Sequence, residues 1–196
     1  MSYKIAKSFE DVVAEIQEGE MEFVRAELAD LNGVSKGFTL DAEYFTNIGR
    51  KGMPISPAII CKEIEGRLPS GLDVIEKIGG GNTLSTFDFS TFKILPFADS
   101  TASILVDFKL PSIQTPRLIC MEQLDKLNQI GLDMYSAFEF EFYLCNSETK
   151  MPIDNDKNKN TLIKNNMNTP LAYDMMRNLR KMGMGPESML AEAGPG

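Results

Sequence analysis

The segment Ala137-Phe-Glu-Phe-Glu-Phe-Tyr-Leu144 sets two carboxylates two residues apart within a run of aromatic side chains. In an extended chain side chains alternate between faces, so Phe138, Phe140 and Phe142 share one face and Glu139, Glu141 and Tyr143 the other. The two glutamate backbones then stand about 6.5–7 Å apart, which suits two neighbouring hard cations, or one cation with a shared ligand. The same pattern also describes an amphipathic strand with a solvated acidic face. A third carboxylate, Glu192, comes shortly before Gly194-Pro-Gly196, residue types that allow a rigid turn and close backbone approach.

Other chemistries are poorly supplied. The chain has no histidine, which removes Ser-His and Cys-His nucleophiles. Its three cysteines, Cys61, Cys120 and Cys145, are widely spaced and form no CxxC pair, so no zinc site is expected and the thiols should be reduced. A formal net charge of −8 argues against a nucleic-acid partner, because phosphate binding needs clustered Lys and Arg. The first residues run into a charged amphipathic segment, and no stretch approaches about 18 consecutive apolar residues. Neither a secretion signal nor a membrane span is expected, and the expected location is cytoplasmic.

The elements that must position the carboxylates follow from caps, periodicity and breakers. Ser8 and Asp11 have capping-box spacing, and Phe9, Val12, Val13 and Ile16 recur at helical intervals up to Gly19. Met21–Leu28 and Val34–Leu40 read as a hairpin across Asp30-Leu-Asn-Gly33. Asp41 should cap a second short helix that Gly49 ends. From Arg50 to Gly81 the breakers predict loops with short extended pieces, and Gly79-Gly-Gly81 reads as a flexible turn, since no GKS/T or GxGxxG accompanies it.

Phe92–Phe97 and Ala102–Leu110 read as strands, the latter with Ile104, Val106 and Phe108 alternating against Ser103, Leu105 and Asp107. After Pro111, Thr115 caps a helix with Pro116 at its first position and a stripe of Leu118, Met121, Leu124, Leu127 and Ile130 running to Gly131. Leu132–Leu144 is strand-like, and the polar Asn146–Asn168 stretch reads as a loop. Thr169-Pro170 starts a last helix through Leu171, Met175, Met176 and Leu179 to about Gly183, its methionines serving as core filler.

The order Glu-Phe-Glu-Phe-Tyr-Leu, then loop and helix, then Glu-Ala-Gly-Pro-Gly resembles the glutamine synthetase succession of a G-x-E-x-E-F-F-L strand and a later E-x-G-P-G-Q-x-E segment. Phe23–Gly37 resembles that family's first hairpin, Ser90–Asp99 its S/T-x-x-x-L-P-W segment, and Thr115-Pro-Arg117 its D-P-R helix start. The landmarks fall in order from about residue 20 to 196. Ser90–Ala102 and Tyr135–Phe138 look most like the lengsin branch, which is regarded as non-catalytic.

The resemblance implies an α+β architecture: a β-grasp-like domain over residues 1–112, then an incomplete catalytic α/β domain over 113–196. It implies that Glu141 and Glu192 ligand the metal that organises glutamate, and Glu139 the metal on the ATP phosphates, both ions being Mg²⁺ or Mn²⁺. It further implies ring homo-oligomers with shared sites, and glutamate, ammonia and ATP as substrates, with γ-glutamyl phosphate formed before glutamine. The family's later Gln-x-Glu, His and Arg residues do not occur by Gly196, so this stretch alone is expected not to turn over. The family's D-G-S-S loop has no counterpart between Gly52 and Gly71, where the sequence reads Met53-Pro-Ile-Ser-Pro57. Two alternatives accompany the glutamate–ammonia ligase: a lengsin-like structural or chaperone-type protein, and a ligase joining glutamate to another amine.

Overall fold

The first helix, α1 (Phe9–Glu18), starts where the sequence places a cap. The Ser8 hydroxyl accepts the Asp11 N–H at 3.1 Å while the Asp11 carboxylate accepts the Ser8 N–H at 2.8 Å. Two orphan donors are thereby satisfied reciprocally. Those bonds from Ser8 hold the Asp11 carboxyl below the usual carboxylate range. The helix buries Val12 and Ile16 and ends at Gly19. The structure is a computed structural model that describes residues 7–72, 81–109, 113–153, 169–192 and 194.

The expected hairpin forms from β1 (Phe23–Ala29) and β2 (Ser35–Asp41), paired antiparallel from Phe23↔Asp41 to Ala29↔Ser35. Its turn is organised by Asp30, whose buried carboxylate accepts N–H bonds from Asn32 (2.8 Å) and Val34 (2.9 Å), and by Gly33 at φ +76°. Asp41 then caps α2 (Ala42–Ile48) through the Tyr44 N–H, and Gly49 follows, as the sequence predicts. The region read as loops contains β3 (Met53–Ile55) and a single helical turn, α3 (Ala58–Cys61). Gly79 and Gly80 lie outside the described residues.

The strand expected at Phe92–Phe97 begins earlier and ends sooner, as β4 (Thr83–Ile94). Its partner is β5 (Thr101–Phe108). Pairing passes from Asp88↔Leu105 to Lys93↔Ser103, so β4 carries an odd excess of residues in a bulge. That excess flips the frame: Ser85 and Phe87 face the core before the bulge and Phe92 after it. A period-two reading therefore fails across residues 88–93. Within the bulge, the Thr91 hydroxyl accepts the Leu105 N–H at 2.9 Å and donates to the Asp88 carbonyl at 2.6 Å, replacing ladder bonds.

The five strands form one mixed sheet in the order β2-β1-β5-β4-β3, with β1 and β5 parallel at its centre and the other neighbours antiparallel. Val24, Ala26 and Leu28 of β1 and Ala102, Ile104, Val106 and Phe108 of β5 are buried with Val12 and Ile16 of α1, Phe45 of α2 and Ile60 of α3. Phe45 meets Phe87 edge-on at 5.0 Å, and Phe9 meets Phe89 at 5.4 Å. Helices against one face of a sheet built on a hairpin and a parallel central pair make this an α+β fold.

Helix α4 (Pro116–Gln129) has the predicted Thr115 cap, with the hydroxyl accepting the Leu118 N–H at 3.1 Å and Pro116 in the first turn. Its apolar stripe is not packed into the core: no residue of α4 is buried, and Met121 and Ile130 are exposed. The boundary expected near residue 112 lies outside the described residues; the chain divides into compact units of residues Met1–Met134 and Tyr135–Gly196.

In the second unit, residues 132–144 make no strand, contrary to the sequence expectation. A strand needs a ladder partner, and no described segment pairs with this one beyond the isolated Cys145↔Pro152 bridge. That bridge closes a turn in which the Asn146 side chain accepts the Glu148 and Thr149 N–H groups, both at 2.9 Å. The loop expected over Asn146–Asn168 is described to residue 153 and lies outside the described residues beyond it. Helix α5 (Thr169–Lys181) follows where Thr169-Pro170 predicts it, and Gly183 stands at φ +72° beyond its end. No α5 residue is buried, so its methionines are not core filler among the described residues.

Gly52 offers a sharp test of the sheet. It sits at φ +82°, and a Cβ there would lie 1.9 Å from the Ser85 carbonyl oxygen. Gly52→Ala should therefore lose about 2 kcal/mol or more, read as a lower urea midpoint; an unchanged midpoint would contradict this backbone approach.

Candidate functional site

The acidic segment makes no ladder, but two of its aromatic side chains meet. The Phe138 and Phe140 rings stack with centroids 5.9 Å apart, as side chains two residues apart on one face of an extended chain should. Both rings are 83% exposed. Glu139 and Glu141, on the opposite parity, are also exposed, as is Glu192.

Gly194 lies against this segment. An ideal Cβ on Gly194 would lie 3.4 Å from Cε1 and 3.5 Å from the hydroxyl of Tyr143. Tyr143 is two residues beyond Glu141 in sequence. Glu192 is two residues from that contact. Among the described residues, however, no three acidic, cysteine or histidine side chains converge as a metal site. The donors fit Mg²⁺ or Mn²⁺ by type, being hard carboxylate oxygens; an assembled centre is not part of the described geometry.

A second polar cluster escaped the sequence reading. The Arg117 guanidinium, at the start of α4, bridges two carboxylates on adjacent strands: Nη2 to Asp88 Oδ2 of β4 and Nη1 to Asp107 Oδ2 of β5. The buried Thr115 hydroxyl donates to Asp107 Oδ1 at 3.0 Å while capping α4. The Asp88 carboxylate also accepts the Ser90 N–H at 3.1 Å and the Ser90 hydroxyl. Burial pushes the Asp88 carboxyl up, but the Ser90 and Arg117 bonds more than offset it and leave the group below its ordinary range. Burial likewise opposes the Arg117 charge, and the two aspartates outweigh it, raising its pKa. The available signal was Asp107, a charge on the non-core parity of a central strand, but its partners lie across a bulge and a turn.

These features define an α+β protein with a carboxylate-bearing extended segment, and comparisons with known proteins agree. The family model "Glutamine synthetase, catalytic domain" matches residues 114–196. A glutamate–isopropylamine ligase from Pseudomonas sp. is 26% identical over 197 residues, covering 92% of this chain and 43% of that protein. Lengsin from Canis lupus familiaris is 26% identical over 204 residues, covering 98% and 34%. Glutamine synthetase from Mycobacterium bovis is 26% identical over 167 residues, covering 74% and 33%. A solved GmaS–ADP complex superposes with a TM-score of 0.58 at 14% identity, over 93% of this chain and 41% of that one, and an apo GmaS structure with 0.60 at 14%, over 93% and 42%.

Residues 114–196 thus match a glutamine synthetase catalytic-domain model, and the chain is similar to these relatives over most of its own length. It spans less than half the length of these relatives. Lengsin and the isopropylamine ligase match at the same identity, so the comparisons do not separate the lengsin branch from the amine ligases. Among the described residues no helix is long and apolar enough to cross a membrane.

The Gly194 placement can be checked directly. Its Cβ position is in ordinary contact distance of the tyrosine, so Gly194→Ala should be tolerated and give a methyl-to-ring nuclear Overhauser effect with Tyr143. A methyl with no cross-peak to that ring would refute the placement. For the cluster, the sign of the pH effect is set by the depressed Asp88 group: its contribution is complete above the unfolded carboxylate range, about pH 4, and is lost as pH falls through the folded value. Asp88→Asn should therefore lower stability at pH 7 and flatten its fall on acidification, measured by urea denaturation at a series of pH values.

Proposed function

We propose that the whole protein is an ATP-dependent ligase that activates the side-chain carboxylate of glutamate and joins it to ammonia. Glu141 and Glu192 would hold the cation that organises glutamate, and Glu139 the cation on the ATP phosphates, with Mg²⁺ or Mn²⁺ in both positions. The observation that supports this reading is the Gly194–Tyr143 contact, which brings a residue two positions after Glu192 near one two positions after Glu141. Bound cations would supply charge neutralisation at phosphoryl transfer. The chain's own part is to present hard oxygen ligands from Glu139, Glu141 and Glu192.

The family match begins at residue 114, which supports a functional division near residue 112. Assembly into homo-oligomers and a cytoplasmic location belong to the same proposal. A second reading, transfer to an amine other than ammonia, is favoured by the match to the glutamate–isopropylamine ligase and by Met53–Pro57 standing where the family has D-G-S-S. In the structure part of that stretch is β3, paired with β4 from Met53↔Ser85 to Ile55↔Thr83. The lengsin match over 98% of the chain supports a third, non-catalytic reading.

On the full-length protein, metal-dependent γ-glutamyl hydroxamate formation separates the catalytic readings from the non-catalytic one, and comparing ammonia with isopropylamine as acceptor separates the first two. Glu141→Ala should reduce the hydroxamate rate about 100-fold or more, since even supporting partners of metal ligands cost about 10–100-fold. An unchanged rate would remove Glu141 from the site.

A further inference from the structure

Helix α4 presents a physical puzzle. Leu118, Met121, Leu124 and Leu127 recur along it at helical spacing, yet none of its residues is buried. Surface helices ordinarily owe most of their stability to burying such a face. At its start the situation reverses: Ile113 is 1% exposed within the core, Thr115 is 2% exposed, and Arg117 spans Asp88 and Asp107.

We propose that Arg117 is a clasp that holds α4 to the sheet from its first turn, and that the helix opens as a local unit when the clasp is broken while the sheet stays folded. The clasp has two arms on two strands, so one guanidinium fixes position and direction together, as a planar fork can and a point charge cannot. Each carboxylate is itself held in place, Asp88 by the Ser90 N–H and hydroxyl, Asp107 by the Thr115 hydroxyl. Thr115 couples the two functions, since its hydroxyl donates to Asp107 and accepts the Leu118 N–H in the first turn of the helix. The sheet does not need the clasp in the same way: β4 and β5 are joined by their own ladder from Ser85↔Phe108 to Asp88↔Leu105 and by the core on the opposite face. Local opening of this kind draws on the part of a fold with little buried apolar surface.

The test is amide hydrogen exchange on the 196-residue chain at neutral pH. In Arg117→Met, which keeps the aliphatic stem and loses the fork, α4 amides from residues 119–129 should exchange at least about tenfold faster, equivalent to about 1.4 kcal/mol, while β1 and β5 amides keep their protection. Arg117→Lys, able to pair with one carboxylate at a time, should fall between. Equal loss of protection in helix and sheet would overturn the proposal, since the cluster would then belong to the sheet's own cooperative unit. So would unchanged α4 protection in Arg117→Met, or α4 amides that exchange at free-peptide rates in the unsubstituted chain. Should Arg117→Met fail to fold, Thr115→Ser and Thr115→Val divide the coupling: Ser should preserve α4 protection and Val lose it, and equal behaviour of the two would also overturn the clasp.

Discussion

The parallel pairing of β1 with β5 is the constraint on which the rest of the first unit depends. Parallel strands must be joined by a long crossover, and here the crossover contains β2, α2, β3, α3 and β4, so every one of those elements is placed relative to the central pair. The pairing runs from Phe23↔Thr101 to Glu27↔Leu105 and puts Val24, Ala26, Ala102 and Ile104 on one buried face. Its start is pinned by the Ser100 carbonyl, which accepts N–H bonds from Glu22 (2.9 Å) and Phe23 (3.1 Å). Ala26 and Ala102 of the central pair are buried in one core with Phe45, Phe87 and Phe92.

On the opposite face of the same sheet the logic is electrostatic. Asp88 and Asp107 project from adjacent strands, where two carboxylates alone would repel, and Arg117 turns the repulsion into an attachment. The bulge in β4 is part of this arrangement, because Ser90 within it supplies two of the donors that fix Asp88. A backbone irregularity thus becomes a positioning device for the chain that leads into the family-matched segment at residue 114.

In the second unit the physical situation is different, because the carboxylate-bearing segment has its side-chain pattern without a ladder. The Phe138 and Phe140 rings stack although no ladder forms, because side-chain contacts two residues apart are local whereas a strand is a property of a pair. Glu139 and Glu141 are exposed here, and the described link between this segment and the residues after Glu192 is the contact of Gly194 with Tyr143.

The sequence by itself determined what depends on near neighbours. Ser8 and Asp11, Asp41 and Thr115 were readable as caps, Asp30 to Gly33 as a hairpin turn, and β5 by strict alternation, because each rests on bonds or sterics spanning a few residues. The order of the acidic motifs pointed to the family whose model matches residues 114–196. Tertiary structure alone decided the start of β4, since its bulge flips the frame; the absence of a strand at 132–144, since pairing needs a partner; and the meeting of Arg117, Asp88 and Asp107. Those outcomes depend on groups far apart in the chain, and neither residue type nor spacing records which distant segment will arrive beside them.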